Sequence, residues 1–274
     1  MGFTPCERED PFTRTVREVY RANVVRAPRT GIAPLDVMAV GARRRVEPRG
    51  RLGTLLNGPE PTLPRPTSSE VADLRGQRSA TLDLAVGADL TATFLGALGL
   101  PVPGASVAAT LWKGARRVSF EVRDVVERRI DIGRLGSALT GCTIARNAAT
   151  EVFFAEPVAQ MLVITRTLSS ARFAVHATGR GGQSVRVAVD GLAEFFGAVA
   201  GEAAWSVEGE STIAFRGSTP ATFAFGVVPC ALRSDATVVF GLEVTDKTFG
   251  AHDAVVAQER PAIDDMGLLT FDES

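Results

Sequence analysis

From Thr81 onward apolar and polar positions alternate. Leu82, Leu84, Val86, Ala88, Leu90, Ala92 and Phe94 fall on one side, and Asp83, Gly87, Asp89, Thr91 and Thr93 on the other. A period of two is what a half-exposed strand requires, so the spacing predicts one long strand over Leu82–Leu95. After the turn signal Leu100-Pro-Val-Pro-Gly104, Val107, Ala109 and Leu111 continue the alternation. Val118, Phe120 and Val122 resume it on the other parity, which predicts a bulge near Lys113 to Ala115. Together these segments read as one long hairpin.

A second two-strand unit follows. Met161-Leu-Val-Ile-Thr-Arg-Thr-Leu168 and Arg172-Phe-Ala-Val-His176 form one arm. Gln183–Asp190, with Val185, Val187 and Val189 on one face, forms the other, and Gly179-Arg-Gly-Gly182 is the turn signal. Short strands are predicted at Asn23–Arg26, Ala203–Val207, Ser211–Arg216, Thr222–Val228 and Thr237–Val244. Helical spacing is seen at Glu9–Arg21, where Phe12, Val16, Val19 and Tyr20 share a side, at Ile132–Leu139 and at Leu192–Val199. The proline-rich Pro59–Pro66 is predicted to be loop. The expected class is α+β, a twisted central antiparallel sheet with long hairpins and short surrounding helices.

Composition narrows the setting. The chain has 274 residues, 45% apolar and 22% charged, so one large or two small domains with an ordinary core are expected. The first twelve residues are charged from Glu7 and lack an apolar stretch behind them, which argues against a secretory signal. Three scattered cysteines, Cys6, Cys142 and Cys230, form neither a disulfide framework nor a Cys-x-x-Cys metal site, and a reducing cytoplasm is expected. Leu90–Trp112 runs 23 residues without a charge, yet Gly96, Gly99, Pro101, Pro103 and Gly104 break it, so no membrane helix is predicted there. Charge is unevenly spread: residues 1–230 hold 27 basic and 22 acidic side chains, and residues 231–274 hold 3 basic and 9 acidic.

Chemistry is sparse. A histidine-dependent triad would need His176, in a strand-like run suited to a structural histidine, or His252, in a loop-like stretch. No Gly-x-Ser-x-Gly, Walker A or Gly-x-Gly-x-x-Gly motif is present, and Asp264-Asp265 lies in an acidic tail. The expectation is that the chain is not an enzyme and uses no cofactor or metal. Arg43–Arg45, Arg116-Arg117 and Arg128-Arg129 are too short for a nucleic-acid face, although clustered bases also suit anionic lipid headgroups. The alternating strands leave two readings open: a soluble sheet with one face on its core, or the wall of a transmembrane β-barrel, whose strands need about 9–11 residues.

One ordered set of segments carries a resemblance. Tyr20-Arg-Ala-Asn-Val-Val-Arg-Ala-Pro-Arg-Thr-Gly-Ile-Ala-Pro-Leu-Asp36 is followed by Val118-Ser-Phe-Glu-Val-Arg-Asp-Val125, Ile130-Asp-Ile-Gly-Arg-Leu-Gly136 and Leu162-Val-Ile-Thr-Arg-Thr-Leu168. In order and spacing, over about residues 6–250, these resemble the gasdermin family, and more narrowly its short bacterial members. The resemblance implies a monomeric, autoinhibited pore-forming core (residues 1–250) and a C-terminal inhibitory tail (residues 251–274). It further implies that a caspase-like or other protease, encoded nearby, removes the tail. The core then engages membrane lipids, self-associates and inserts its hairpins as a large β-barrel in the inner membrane of a phage-infected cell. On this reading the inserting residues are Leu82, Leu84, Val86, Leu90, Phe94, Val107, Leu111, Leu162, Ile164, Val185 and Val187. Cleavage is expected at Thr248, Phe249, Gly250 and Ala251, and the tail is expected to hold the core through Ile263, Met266, Leu268, Leu269 and Phe271. The resemblance also implies palmitate on Cys6. A cut near Phe249–Ala251 would release six acids and one arginine, leaving the body more cationic and better suited to an anionic surface. Two other readings remain: a soluble β-rich lipid-binding or scaffold module that never inserts, and a hydrolase using His176.

Overall fold

The computed structural model describes residues 11–41, 46–58, 61–72, 74–78, 82–83, 91–93, 95–98, 100, 114–155, 158–186, 205–241 and 259–261. The predicted N-terminal helix forms as α1, Pro11–Glu18. Proline suits its first position, where the missing N–H costs no hydrogen bond. Phe12, Val16 and Tyr20, four residues apart, are all buried, as one face of a helix with a 3.6 period demands, whereas Val19, read onto the same side, is exposed. The chain continues through β1 (Asn23–Arg29), β2 (Asp36–Val40), β3 (Val46–Arg51), the short α2 (Leu52–Leu55), β4 (Thr67–Glu70) and β5 (Leu82–Asp83). After these come β6 (Arg117–Arg123), β7 (Val126–Arg129) and α3 (Ile132–Ala138), whose first turn is capped by Asp131 accepting from the Arg134 N–H at 2.9 Å.

Two long strands form the spine. β8 spans Gln160–Thr178 and β10 spans Thr212–Leu232; β9 (Trp205–Glu208), β11 (Val238–Phe240) and β12 (Arg260–Pro261) complete the set. All twelve strands among the described residues join one sheet with central order β1-β10-β8-β2-β3. β8 and β10 pair antiparallel from Thr212↔His176 to Cys230↔Met161, with irregularities that include the stretch between Arg216 and Ala221. β6 and β7 pair in succession along the other edge of β8, and β5 continues the sheet beyond β6 with Leu82↔Val118.

Burial explains the pattern of side chains. In its first half β8 is covered on both faces: Met161 and Val163 lie in a core with Leu52, Leu135 and Leu139, while Leu162 and Ile164 lie in another with Val25, Met38, Phe225 and Val227. The run Met-Leu-Val-Ile is therefore apolar at every position. In its second half one face, Phe173, Val175 and Ala177, joins a third core with Val118, Phe120, Val122, Ile213, Phe215 and α1. The parity read from Val118, Phe120 and Val122 holds, and Gly114 makes a turn at φ 87° where the irregularity was expected.

Three expectations change. The predicted strand over Leu82–Leu95 is extended at Leu82–Asp83 but helical at residues 91–93 and 95–97; its alanines, leucines and glycines are compatible with either period, and Leu95 and Leu98 reach the first-named helix's core from a helical backbone. Gln183–Asp190 is not the main partner of β8. The Gly179–Gly182 turn does form, and Thr178↔Ser184 bridge across it, but the long ladders of β8 run to β10, β6, β7 and β2. The separate strands predicted at Ser211–Arg216 and Thr222–Val228 are one strand, because β10 carries Gly217–Pro220 as an irregularity rather than a break. Residues 187–190 of that predicted arm and the predicted helix at Leu192–Val199 lie outside the described residues.

Candidate tail-docking site and hairpin bases

Beyond β8, the outer edge of β10 is shared by short strands. β9 pairs with Thr212–Phe215, β1 with Thr222, Ala224 and Phe225, and β11 with Cys230–Leu232. Between β1 and β11, Gly226 and Val227 pair with Pro261 and Arg260 of β12, a piece of the acidic tail. The residues on either side of 242–258 are thus held on β10: Gly241 donates its N–H to the Pro229 carbonyl at 2.8 Å, and the chain returns two residues away along the strand, with Arg260 opposite Val227.

Glu259 fixes this return. Arg129, Arg166, Gly226 and Pro261 stand in one cross-strand row. Glu259, just before β12, reaches Arg166 Nη2 at 2.5 Å and lies 3.9 Å from Arg129 Nε. Arg166 also faces Glu127 at 3.0 Å and donates to the Tyr20 carbonyl at 2.6 Å. The Arg166 and Glu259 side chains are each 7% exposed. A buried arginine surrounded by two carboxylates and a carbonyl is compensated; with one carboxylate withdrawn, charge is left in a low-dielectric site. Gly226 is needed here, since a Cβ would lie 2.6 Å from the Arg21 carbonyl oxygen. The tail is therefore read twice, by strand pairing and by charge.

The second feature is the face that β6, β8, β10 and β9 share. Phe120 and Phe173 lie 6.5 Å apart between ring centroids, Phe173 and Phe215 lie 5.0 Å apart, and Trp205 pairs with Phe215 in register. α1 covers part of this core, with Phe12 5.9 Å from Phe223, and Leu95 and Leu98 of the helical stretch join it. Leu98 sits directly on Gly217: a Cβ there would meet Leu98 Cβ at 2.6 Å and its carbonyl oxygen at 2.7 Å. Because one of those atoms is backbone, the helical stretch must move to admit it. Gly217→Ala is expected to cost about 1–3 kcal/mol by overpacking, to lower Tm by roughly 2–12 °C, and to speed amide exchange at residues 91–98. Unchanged exchange there would separate Gly217 from the seating of this segment.

Several residues singled out from the sequence are placed. Leu82 pairs with Val118; Leu162 and Ile164 are fully buried in the body; Val185 is half-buried against the core of Phe173 and donates its N–H to the Ala177 carbonyl. His176 is a buried structural histidine, its Nδ1 2.7 Å from Thr212 Oγ1 and its Nε2 3.3 Å from Glu121 Oε2. Cys230 is buried, and Cys142 is half-buried with its thiol donating to the Ala138 carbonyl. Outside the described residues lie Cys6, Leu84, Val86, Leu90, Phe94, Val107, Leu111 and Val187. So do the cleavage region Thr248–Ala251, the tail residues Ile263, Met266, Leu268, Leu269 and Phe271, His252, Arg43–Arg45 and Asp264-Asp265. Glu259 and Arg260-Pro261 went unnoticed in the sequence, although a lone arginine inside Leu-Val-Ile-Thr-Arg-Thr-Leu calls for a buried anion. No helix among the described residues is long and apolar enough to cross a membrane.

The model of the Bacterial Gasdermin Family matches residues 25–237, well over half of the chain. The chain belongs to the bacterial gasdermin family. It is 25% identical to a gasdermin of a Vitiosangium species over 253 residues, covering 91% of this chain and 93% of that one. With a gasdermin of a Desulfuromonadales bacterium it is 28% identical over 234 residues, covering 80% and 81%. The solved structure of a bacterial gasdermin from Bradyrhizobium tropiciagri superimposes with a TM-score of 0.59 at 15% identity, covering 84% of this chain and 90% of the other, a likeness of fold. Gasdermins are pore formers and not enzymes, which removes the hydrolase reading of His176.

Proposed function

We propose that this bacterial gasdermin is a resting pore former held closed by its own tail. A protease cutting near Thr248–Ala251 frees residues 251–274, and the body, residues 1–250, oligomerises and inserts hairpins that run on from the β5–β6 and β8–β10 pairs as a β-barrel in the inner membrane, killing a phage-infected cell. The observation that carries this reading is Glu259, buried on Arg166 and followed at once by a two-residue strand on β10. Departure of that acid leaves Arg129 and Arg166 with less negative charge around them and makes the whole body more basic, which favours an anionic bilayer.

The helical stretch supports the second half of the reading. Residues 91–93 and 95–97 are helical at rest in a segment whose side chains alternate with the period of a strand. A sequence suited to one structure and resting in another is suited to conversion, here once its cover on the Phe120–Phe173–Phe215 face is released. Palmitate on Cys6 would add about 0.8 kcal/mol per buried methylene to membrane attachment.

The test is limited proteolysis of purified protein followed by calcein release from vesicles containing anionic lipid. Release is expected only after loss of the last 20 or so residues. Sealed vesicles together with a cut, monomeric body would overturn the proposal.

A further inference from the structure

Six residues before the end of β8 at Thr178, three arginines line up. Arg123 of β6, Arg172 of β8 and Arg216 of β10 are direct cross-strand partners. Such partners have Cβ atoms about 4.5–5.5 Å apart, and like charges there repel. At rest the repulsion is offset from outside the row. Arg123 forms a two-pronged pair with Glu208 at 2.7 and 2.8 Å and a bond to Glu121 at 3.2 Å, and Arg172 pairs with Asp124 at 2.7 Å. The Arg216 side chain is exposed and has no ion pair among the described residues.

The neighbouring positions add the second observation. Phe173 and Phe215 flank Arg172 and Arg216 in sequence and so occupy the opposite face at the same height, with Trp205 beside Phe215. Towards the hairpin ends the rows Ser119–His176–Thr212–Glu208 and Glu121–Ala174–Ala214–Ser206 stay on the arginine face, and Phe120, Val175 and Ile213 stay on the other. One face is polar across four strands and the other apolar. Transmembrane barrels use this division between lumen and lipid, with aromatic residues at the membrane boundary.

We propose that the arginine face becomes the lumen wall of the pore and that Arg123, Arg172 and Arg216 form a ring at its mouth, on the side of the body, which attracts anionic solutes over cations. This inference rests on the pore-forming reading above. Rings of basic side chains select for anions, and repetition of the row in every subunit multiplies the charge. Phosphate headgroups carry the same anionic chemistry, so the test separates the two sources.

Cut protein is added to planar bilayers of zwitterionic lipid under a KCl gradient, and the reversal potential is read from patches showing conductance steps. In a gradient reaching down to 10 mM salt, where the screening length is about 30 Å, chloride is expected to pass more readily than potassium. The preference should vanish near 1 M salt, where that length is about 3 Å. Arg172→Gln with Arg216→Gln is expected to bring the permeability ratio towards one, and Arg172→Lys with Arg216→Lys to keep it. Arg216→Gln alone, at an exposed site with no ion pair among the described residues, should give an intermediate ratio and guards against a folding defect in the double variant. Conductance without anion preference, or a preference indifferent to these changes, would overturn the ring while leaving the pore intact. So would variants that lose only binding to anionic vesicles, since the row would then read headgroups. Absence of any conductance in the cut wild type would instead overturn the pore-forming reading itself.

Discussion

Glu259→Ala is expected to open the resting protein without a protease. The substitution removes one of the two carboxylates facing Arg166 in a site where both partners are 7% exposed. Breaking a buried pair from one side costs about 3–5 kcal/mol. The lower end applies here because Glu127 remains, and about 3 kcal/mol corresponds to roughly a hundredfold change in the ratio of docked to undocked tail. Only the two pairs of β12 with β10 would then hold the return of the tail among the described residues. Uncut Glu259→Ala protein should release calcein from anionic vesicles at a rate well above uncut wild type, and Glu259→Gln, which keeps shape but not charge, should fall between. If uncut Glu259→Ala leaves vesicles as tight as wild type, Arg166 is not the lock on the tail.

Phe173→Ala should produce the largest loss of stability. The ring is 1% exposed at the centre of the Phe120–Phe173–Phe215 row. Truncating a buried phenylalanine costs about 3–5 kcal/mol, and at about 2–4 °C per kcal/mol for a chain of this size Tm should fall by roughly 6–20 °C. Thermal unfolding followed by circular dichroism measures this directly. In the proposed pore the same position faces lipid at the membrane boundary, where a missing ring leaves no cavity in a packed core. Leakage after cleavage should therefore survive the substitution better than the resting fold does. A melting curve identical to wild type would deny Phe173 its central place in the core.

Much of the body was legible because its cores demand regular spacing. α1, α3 and the second half of β8 stand where apolar positions recur every three to four or every two residues, and β1 and the first half of β8 stand where apolar residues run together. Pairing was less legible. Gly179–Gly182 is a strong local turn signal and drew the next segment against β8, whereas the ladder that buries Phe173 and Val175 comes from β10, beyond a stretch the local pattern passes over. Gly217 and Pro220 read as a break, yet the sheet absorbs them as an irregularity because β8 continues unbroken opposite. The helical turns at residues 91–93 and 95–97 were hidden by an alternation that fits a strand equally well. As for the tail, its opposite charge to the body was visible in the counts. Which acid meets which base was not, since Glu259 and Arg166 are distant in sequence and only the β8-β10-β12 row brings them together.

The anchoring of residues 242–258 at both ends on β10 has a kinetic consequence. On the proposed reading, while the chain is whole the tail closes as an intramolecular ligand at an effective concentration of about millimolar order. A cut within this stretch removes no contact made by Glu259, Arg260 or Pro261; it converts closing into a bimolecular reaction. The nicked protein then opens at the dissociation rate of a short peptide, and it stays open when the freed peptide is dilute. On that reading cleavage and opening are separate events, with the interval between them set by the lifetime of one buried ion pair and two strand pairings.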